Sequence, residues 1–136
     1  MNKILVVAPH PDDETLGCGG AILKHVANGD SVDWLIMTNA TADFGYSISD
    51  LNQREIDIGK ITSHYQFNRV YRTKLETTLL DTVPRNKVID AVSQVFEEAS
   101  PNVIYLPYQF DAHSDHRISF ECCASASKWF RMPSIK

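Results

Sequence analysis

The chain has 136 residues, 43% hydrophobic and 22% charged, with a net charge of −4 at neutral pH and a pI near 5.6. That length supports one domain with a single core, and the acidic balance argues against nucleic-acid binding, which needs a basic face. No apolar run could span a bilayer, the start of the chain lacks the shape of a signal peptide, and three cysteines form neither a disulfide framework nor a Cys-x-x-Cys pair, so a reducing, cytoplasmic setting is expected.

Ile4-Leu5-Val6-Val7-Ala8 has the length of a buried strand. It runs into His10-Pro11-Asp12-Asp13-Glu14, which places an imidazole and three carboxylates in the turn before a helix opening at Thr15-Leu16-Gly17. Adjacent carboxylates repel one another, and a divalent metal held by His10 and one Asp would remove that cost. Acids after a proline are also ordinary helix-start chemistry, because they accept free amides and suit the dipole. That plainer reading accounts for the acids but not for His10.

The first helix ends at Asn28 with Gly29 as its cap, and Val32 to Thr38 reads as a second strand. Asn39 to Ser49 is polar and small, the composition of a loop over a site. A helix is expected from Asp50 to about Tyr65, with Arg54 near its start, then a short strand from Asn68 to Arg72. Thr73 to Thr82 reads as irregular, tucked down by Leu75, Leu79 and Leu80. Val83 to Ala99 places Val88, Val92, Val95 and Phe96 on one face at helical spacing. After Pro101, Asn102 to Pro107 is a fourth strand, and a last helix is expected from Arg117 into Trp129.

Strands alternating with helices imply right-handed βαβ units and a parallel sheet. The simplest strand order is 3-2-1-4, which puts strands 1 and 4 at the switch point where such sheets bind ligands. Strand 1 ends at His10, and strand 4 ends just before Asp111-Ala112-His113-Ser114-Asp115-His116. Two clusters of histidines and carboxylates therefore meet at one crevice. A catalytic zinc site needs three protein ligands and an open position. If His10, Asp13 and His116 fill the first role, Asp12 and His113 remain for acid–base work.

His10-Pro11-Asp12-Asp13-Glu14 with the downstream His113-x-Asp115-His116 resembles the PIG-L/LmbE family of zinc-dependent N-deacetylases over essentially the whole chain. The resemblance implies a Rossmann-like three-layer α/β sandwich with a mainly parallel sheet. It implies hydrolysis of the N-acetyl group of an N-acetylglucosamine-type sugar conjugate, a small-molecule substrate. By it, His10, Asp13 and His116 match the metal ligands for Zn2+, though the same donors accept Fe2+ or another divalent ion. Asp12 matches the general base acting on a zinc-bound water. His113 matches the histidine that assists at the tetrahedral intermediate, with Asp115 as its orienting partner raising its pKa. The alternative for His113 is a helix cap or a solvent-facing side chain. Arg54 falls where a substrate-binding arginine begins the second helix.

The chain departs from the family in two ways. Ser63-His64-Tyr65-Gln66-Phe67 stands where the family's second helix closes on small residues and Leu-Gly. Family members also continue well past this length, so residues 1–136 read as one deacetylase domain without its C-terminal part. Strand 4 and the apolar Trp129, Phe130, Met132 and Ile135 would then lack cover. Weak turnover and self-association into a homo-oligomer are expected of such a chain.

Two rival readings come from other classes. Gly17-x-Gly19-Gly20 after a strand suggests nucleotide binding, but it is not Gly-x-Gly-x-x-Gly, and three carboxylates stand where a pyrophosphate needs bare amides. The glycines are expected instead to let the helix pack closely on the sheet. The other rival is a noncatalytic metal-binding or assembly protein on the same fold.

Overall fold

β1 (Lys3–Ala8) buries every residue after its first, which requires a covering layer on each face of the sheet. The computed structural model, which describes residues 1–128, supplies both. The expected apolar tail from Trp129 onward lies outside the described residues. After β1 come α1 (Asp13–Ala27), β2 (Ser31–Asn39), α2 (Ile48–Tyr65), β3 (Val70–Glu76), α3 (Arg85–Ala99), β4 (Val103–Tyr105) and α4 (Ser114–Ala126). The strands form one sheet in the order β3-β2-β1-β4, and every pairing is parallel. This is the α/β fold and strand order expected from the alternation of elements.

Successive β1 side chains point to opposite faces. Leu5 and Val7 join Leu35, Met37, Val88, Val92, Phe96 and Ile118 under α3 and α4. Ile4, Val6 and Ala8 join Ile22, Trp34, Ile36, Ile58 and Phe67 under α1 and α2. Cys122 and Cys123 are buried in the first of these cores, as small apolar residues usually are. Among the described residues no helix is long and apolar enough to cross a membrane.

Several boundaries differ from those expected. α2 begins at Ile48 rather than Asp50, because Ser47 and Asp50 form a reciprocal capping box. β3 runs on through Thr73 to Glu76, residues expected to be irregular. The Thr73 hydroxyl donates to the Met37 carbonyl and helps tie this extension to β2. α4 starts at Ser114 rather than Arg117, with His113 as its N-cap. Gly19 does not serve close packing on the sheet. A Cβ there would lie 2.6 Å from the Tyr65 hydroxyl, so the glycine lets α1 approach α2.

Candidate metal centre and active site

The parallel sheet brings the turn after β1 and the loop after β4 to the same edge. Thr38 on β2 fixes the end of β1: its N–H and hydroxyl both donate to the Pro9 carbonyl, at 3.2 Å and 2.8 Å. The acids of the turn then bond backward. The His10 N–H donates to Asp13 Oδ2 at 2.8 Å, and the Asp12 N–H donates to Glu14 Oε2 at 3.0 Å. Asp12 is the N-cap of α1, yet its side chain makes no capping bond. Helix capping therefore does not account for Asp12.

The backbone of Asp12 has φ 153°, a region that costs a non-glycine residue about 1–3 kcal/mol. It is clamped on both sides: Glu14 takes its N–H, and its carbonyl accepts from the Thr15 and Leu16 amides, each at 3.0 Å. The result is a fixed backbone carrying an exposed carboxylate with no hydrogen-bond partner among the described residues. Glu14 is only 2% exposed, and burial pushes its carboxyl pKa up. Glu14→Ala should lower the unfolding free energy by about 1–3 kcal/mol by stranding the Asp12 amide. Glu14→Gln should cost less, because the side-chain amide oxygen can still accept. Urea denaturation measures both, and equal losses would remove the clamp from the explanation.

His10, Asp13 and His116 place one ligand atom each within 4.8 Å of one another. Asp13 Oδ2 is the common neighbour, 3.5 Å from His10 Nδ1 and 3.2 Å from His116 Nε2. The far nitrogen of each ring has its own carboxylate: Asp115 Oδ2 lies 2.9 Å from His10 Nε2, and Asp111 Oδ2 lies 3.1 Å from His116 Nδ1. Metal-binding histidines are typically held this way, since a carboxylate on one nitrogen fixes the tautomer and frees the other. Two imidazoles and one carboxylate oxygen suit a divalent first-row ion with an open position.

The electrostatics fit the same use. Hydrogen bonds that the ring donates to Asp115 and then to Asp13 raise His10 to about 9, although burial pulls it down. Burial pushes the Asp13 carboxyl up, but its bonds from His10 outweigh that and hold it low. A cation bound there would take the place of the extra imidazolium proton.

A second grouping, His10 with His113 and Asp115, also lies within ligand distance. Its carboxylate is already held by three donors. Asp115 is completely buried and accepts from the Thr78 amide at 2.7 Å, the Leu80 amide at 3.2 Å and His10. His113 Nδ1 accepts the Asp115 amide at 3.1 Å.

These bonds correct the expected pairing of Asp115 with His113. Because α4 begins at Ser114, Asp115 sits in its first turn and points inward to His10 and the segment after β3. Only its backbone N–H meets His113. With Nδ1 acting as acceptor, neutral His113 carries its proton on Nε2. The capping alternative for His113 is thus present in the structure and leaves Nε2 available. The His113 ring stands edge-on to His10 with centroids 4.7 Å apart.

Arg54 lies on α2 with its guanidinium 5.6 Å from the Tyr46 ring centroid, and it shares a cleft with Asp12. Three features went unassigned from the sequence: Asp111 behind His116, Glu14 behind Asp12, and the Thr78 and Leu80 amides behind Asp115. Asp111 was visible as a member of the second cluster. The amides carry no residue-type signal at all.

Two clefts meet at Glu14 and Leu16. One, of about 650 Å³, is lined by Asp13, Asp111, His116, Tyr105, Tyr108 and Phe120. The other, of about 630 Å³, lies between α1 and α2 and reaches Asp12.

A family model described as PIG-L: GlcNAc-PI de-N-acetylase matches residues 5–127. Diacetylchitobiose deacetylase of Thermococcus kodakarensis is 23% identical over 124 residues, which cover 86% of this chain and 46% of that protein. Among solved structures, the conserved protein TT1542 from Thermus thermophilus matches with a TM-score of 0.74 at 29% identity, over 93% of this chain and 55% of that one. N,N'-diacetylchitobiose deacetylase from Pyrococcus horikoshii matches with a TM-score of 0.80 at 22% identity, over 97% of this chain and 51% of that one. The chain spans about half the length of these proteins.

Proposed function

Since the chain belongs to the PIG-L (GlcNAc-PI de-N-acetylase) family, we propose that it works as a metal-dependent hydrolase removing the N-acetyl group from an N-acetylglucosamine-type sugar conjugate. The observation that carries this reading is local. Three donor atoms from His10, Asp13 and His116 converge, and the residue next to Asp13 in sequence, Asp12, carries a carboxylate with no hydrogen-bond partner among the described residues.

His10, Asp13 and His116 would hold the ion, Zn2+ in our reading, with Fe2+ compatible with the same donors. Bound there, it supplies polarisation of the amide carbonyl and a more acidic water. Asp115 and Asp111 keep the two imidazoles in the tautomers that present a lone pair. Asp12 accepts a proton as water attacks the acetyl carbon, and returns it to the amide nitrogen as the C–N bond breaks. Acetate and a free amine leave. His113 donates from Nε2–H to the developing oxyanion, a role that needs its Nδ1 kept as an acceptor by the Asp115 amide. Arg54 contacts the sugar from α2.

The test is acetate release from a panel of N-acetylglucosamine conjugates, with metal content measured on the same samples. Acetate release that is lost on chelation and restored by added metal is the expected result. Stoichiometric metal binding with no acetate from any conjugate would instead favour the noncatalytic metal-binding reading.

A further inference from the structure

The loop from Leu106 to His113 carries two groups of the candidate site, yet it has little bonding of its own. Asp111 uses both carboxylate oxygens: Oδ1 accepts the His113 N–H at 2.8 Å, and Oδ2 lies 3.1 Å from His116 Nδ1. The course of the loop therefore decides where the His116 ring points and where His113 begins α4. Among the described residues, its one internal backbone bond runs from the Asp111 N–H to the Tyr108 carbonyl, at a long 3.3 Å. β4, from which it departs, is three residues long. A segment so thinly bonded opens locally unless something outside it pins it.

Arg117 supplies the pin. It sits one turn into α4, where side chains tilt back toward the helix N-terminus. Its Nη1 donates to the Asp111 carbonyl at 2.7 Å and to the Ala112 carbonyl at 2.6 Å. That nitrogen carries two hydrogens, one for each oxygen, and a charged donor makes short, strong bonds. The position is otherwise a poor one for a cation, because a helix N-terminus is already the positive end of its dipole. The neighbouring residue, His116, belongs to the candidate metal grouping, and an ion there would add a second like charge. Two carbonyls bonded at once offset both costs.

We propose that Arg117 is a positioning residue: by holding the Asp111 and Ala112 carbonyls it fixes the β4–α4 loop, so that Asp111 keeps the His116 ring aimed at the ion and His113 stays at the head of α4. The inference rests on the metal-dependent deacetylase reading and adds a residue that touches neither ion nor substrate. It also fixes the sign of an effect. Coulomb repulsion alone says that removing a cation beside a cation site tightens metal binding. Removing the brace behind a ligand's orienting partner loosens it instead.

Zinc affinity, measured by competition with a chromophoric chelator, tests this without reference to turnover. Arg117→Ala should raise the Zn2+ dissociation constant by about 10–100-fold, the range for loss of an orienting partner. With Asp111 already replaced by Ala, the same substitution should move it by less than about threefold, because residues acting in series are not additive. In metal-free protein, exchange of the His113 amide followed by NMR should quicken at least about tenfold in Arg117→Ala, with the amides of β1 and β2 unchanged. Arg117→Lys keeps the charge but not the planar donor; it should fall between wild type and Arg117→Ala, and it carries the test if the alanine variant does not fold. Tighter or unchanged zinc binding, full additivity with Asp111→Ala, or unchanged exchange at His113 would overturn the proposal. A wild-type protein that binds no zinc would sink the metal-dependent reading instead, and exchange at His113 would still decide whether Arg117 orders the loop.

Discussion

Asp12→Asn is expected to lower kcat by about 10²–10⁴-fold, the usual range for loss of a general base, with metal content unchanged. The expectation follows from how the turn is built. Asp13 faces the two candidate ligand rings and accepts the His10 amide, and Glu14 accepts the Asp12 amide, whereas the Asp12 carboxylate has no hydrogen-bond partner among the described residues. Asparagine keeps the size and the strained backbone but cannot take a proton at neutral pH. Because Asp12 is absent from both candidate ligand groupings, the ion should stay. Initial-rate kinetics alongside elemental analysis decides the matter. Full turnover in Asp12→Asn would remove the residue from the chemistry, and loss of metal would make it a ligand.

His116→Ala should empty the metal site, and His113→Ala should leave it filled. His116 presents Nε2 toward Asp13 Oδ2 and has its other nitrogen held by Asp111. The loss in metal affinity should exceed the roughly 10–100-fold that removal of an orienting partner costs. Asp111→Ala, which removes such a partner, should fall within that range. His113 uses Nδ1 to cap α4 and keeps Nε2–H for a developing oxyanion. Its loss should therefore cost about 10²–10³-fold in kcat with metal retained. The competing grouping of His10, His113 and Asp115 makes the opposite forecast, with His113→Ala emptying the site while His116→Ala stays loaded. Metal titrations of the two variants separate them.

The order 3-2-1-4 was legible because it depends on local pattern. A short apolar run before each turn, helical spacing between runs and the handedness of parallel crossovers leave few topologies. That order brought His10 and the cluster from Asp111 to His116 to one edge. The extension of β3 was not legible, because Thr73-Lys74-Leu75-Glu76 mixes polar and apolar residues. Its strand character comes from pairing with β2, where Leu75 lies opposite Thr38 and Glu76 opposite Asn39.

The residue types of the candidate site were written in the chain, but their partnerships were not. Asp115 stands beside His113 in sequence, and its carboxylate nonetheless bonds His10, 105 residues away, and the Thr78 amide, 37 residues away. A one-turn shift in the start of α4, from Arg117 to Ser114, decides which way that side chain points. The amides that hold it belong to a segment read as irregular, whose leucines signal that it tucks down but not which amides it presents once Leu80 enters the core. The sequence by itself therefore determined the sheet order and the pool of imidazoles and carboxylates at its edge. Tertiary structure alone decided which carboxylate orients which ring, because a hydrogen bond is directional and depends on where a helix starts, a geometry that residue type does not encode.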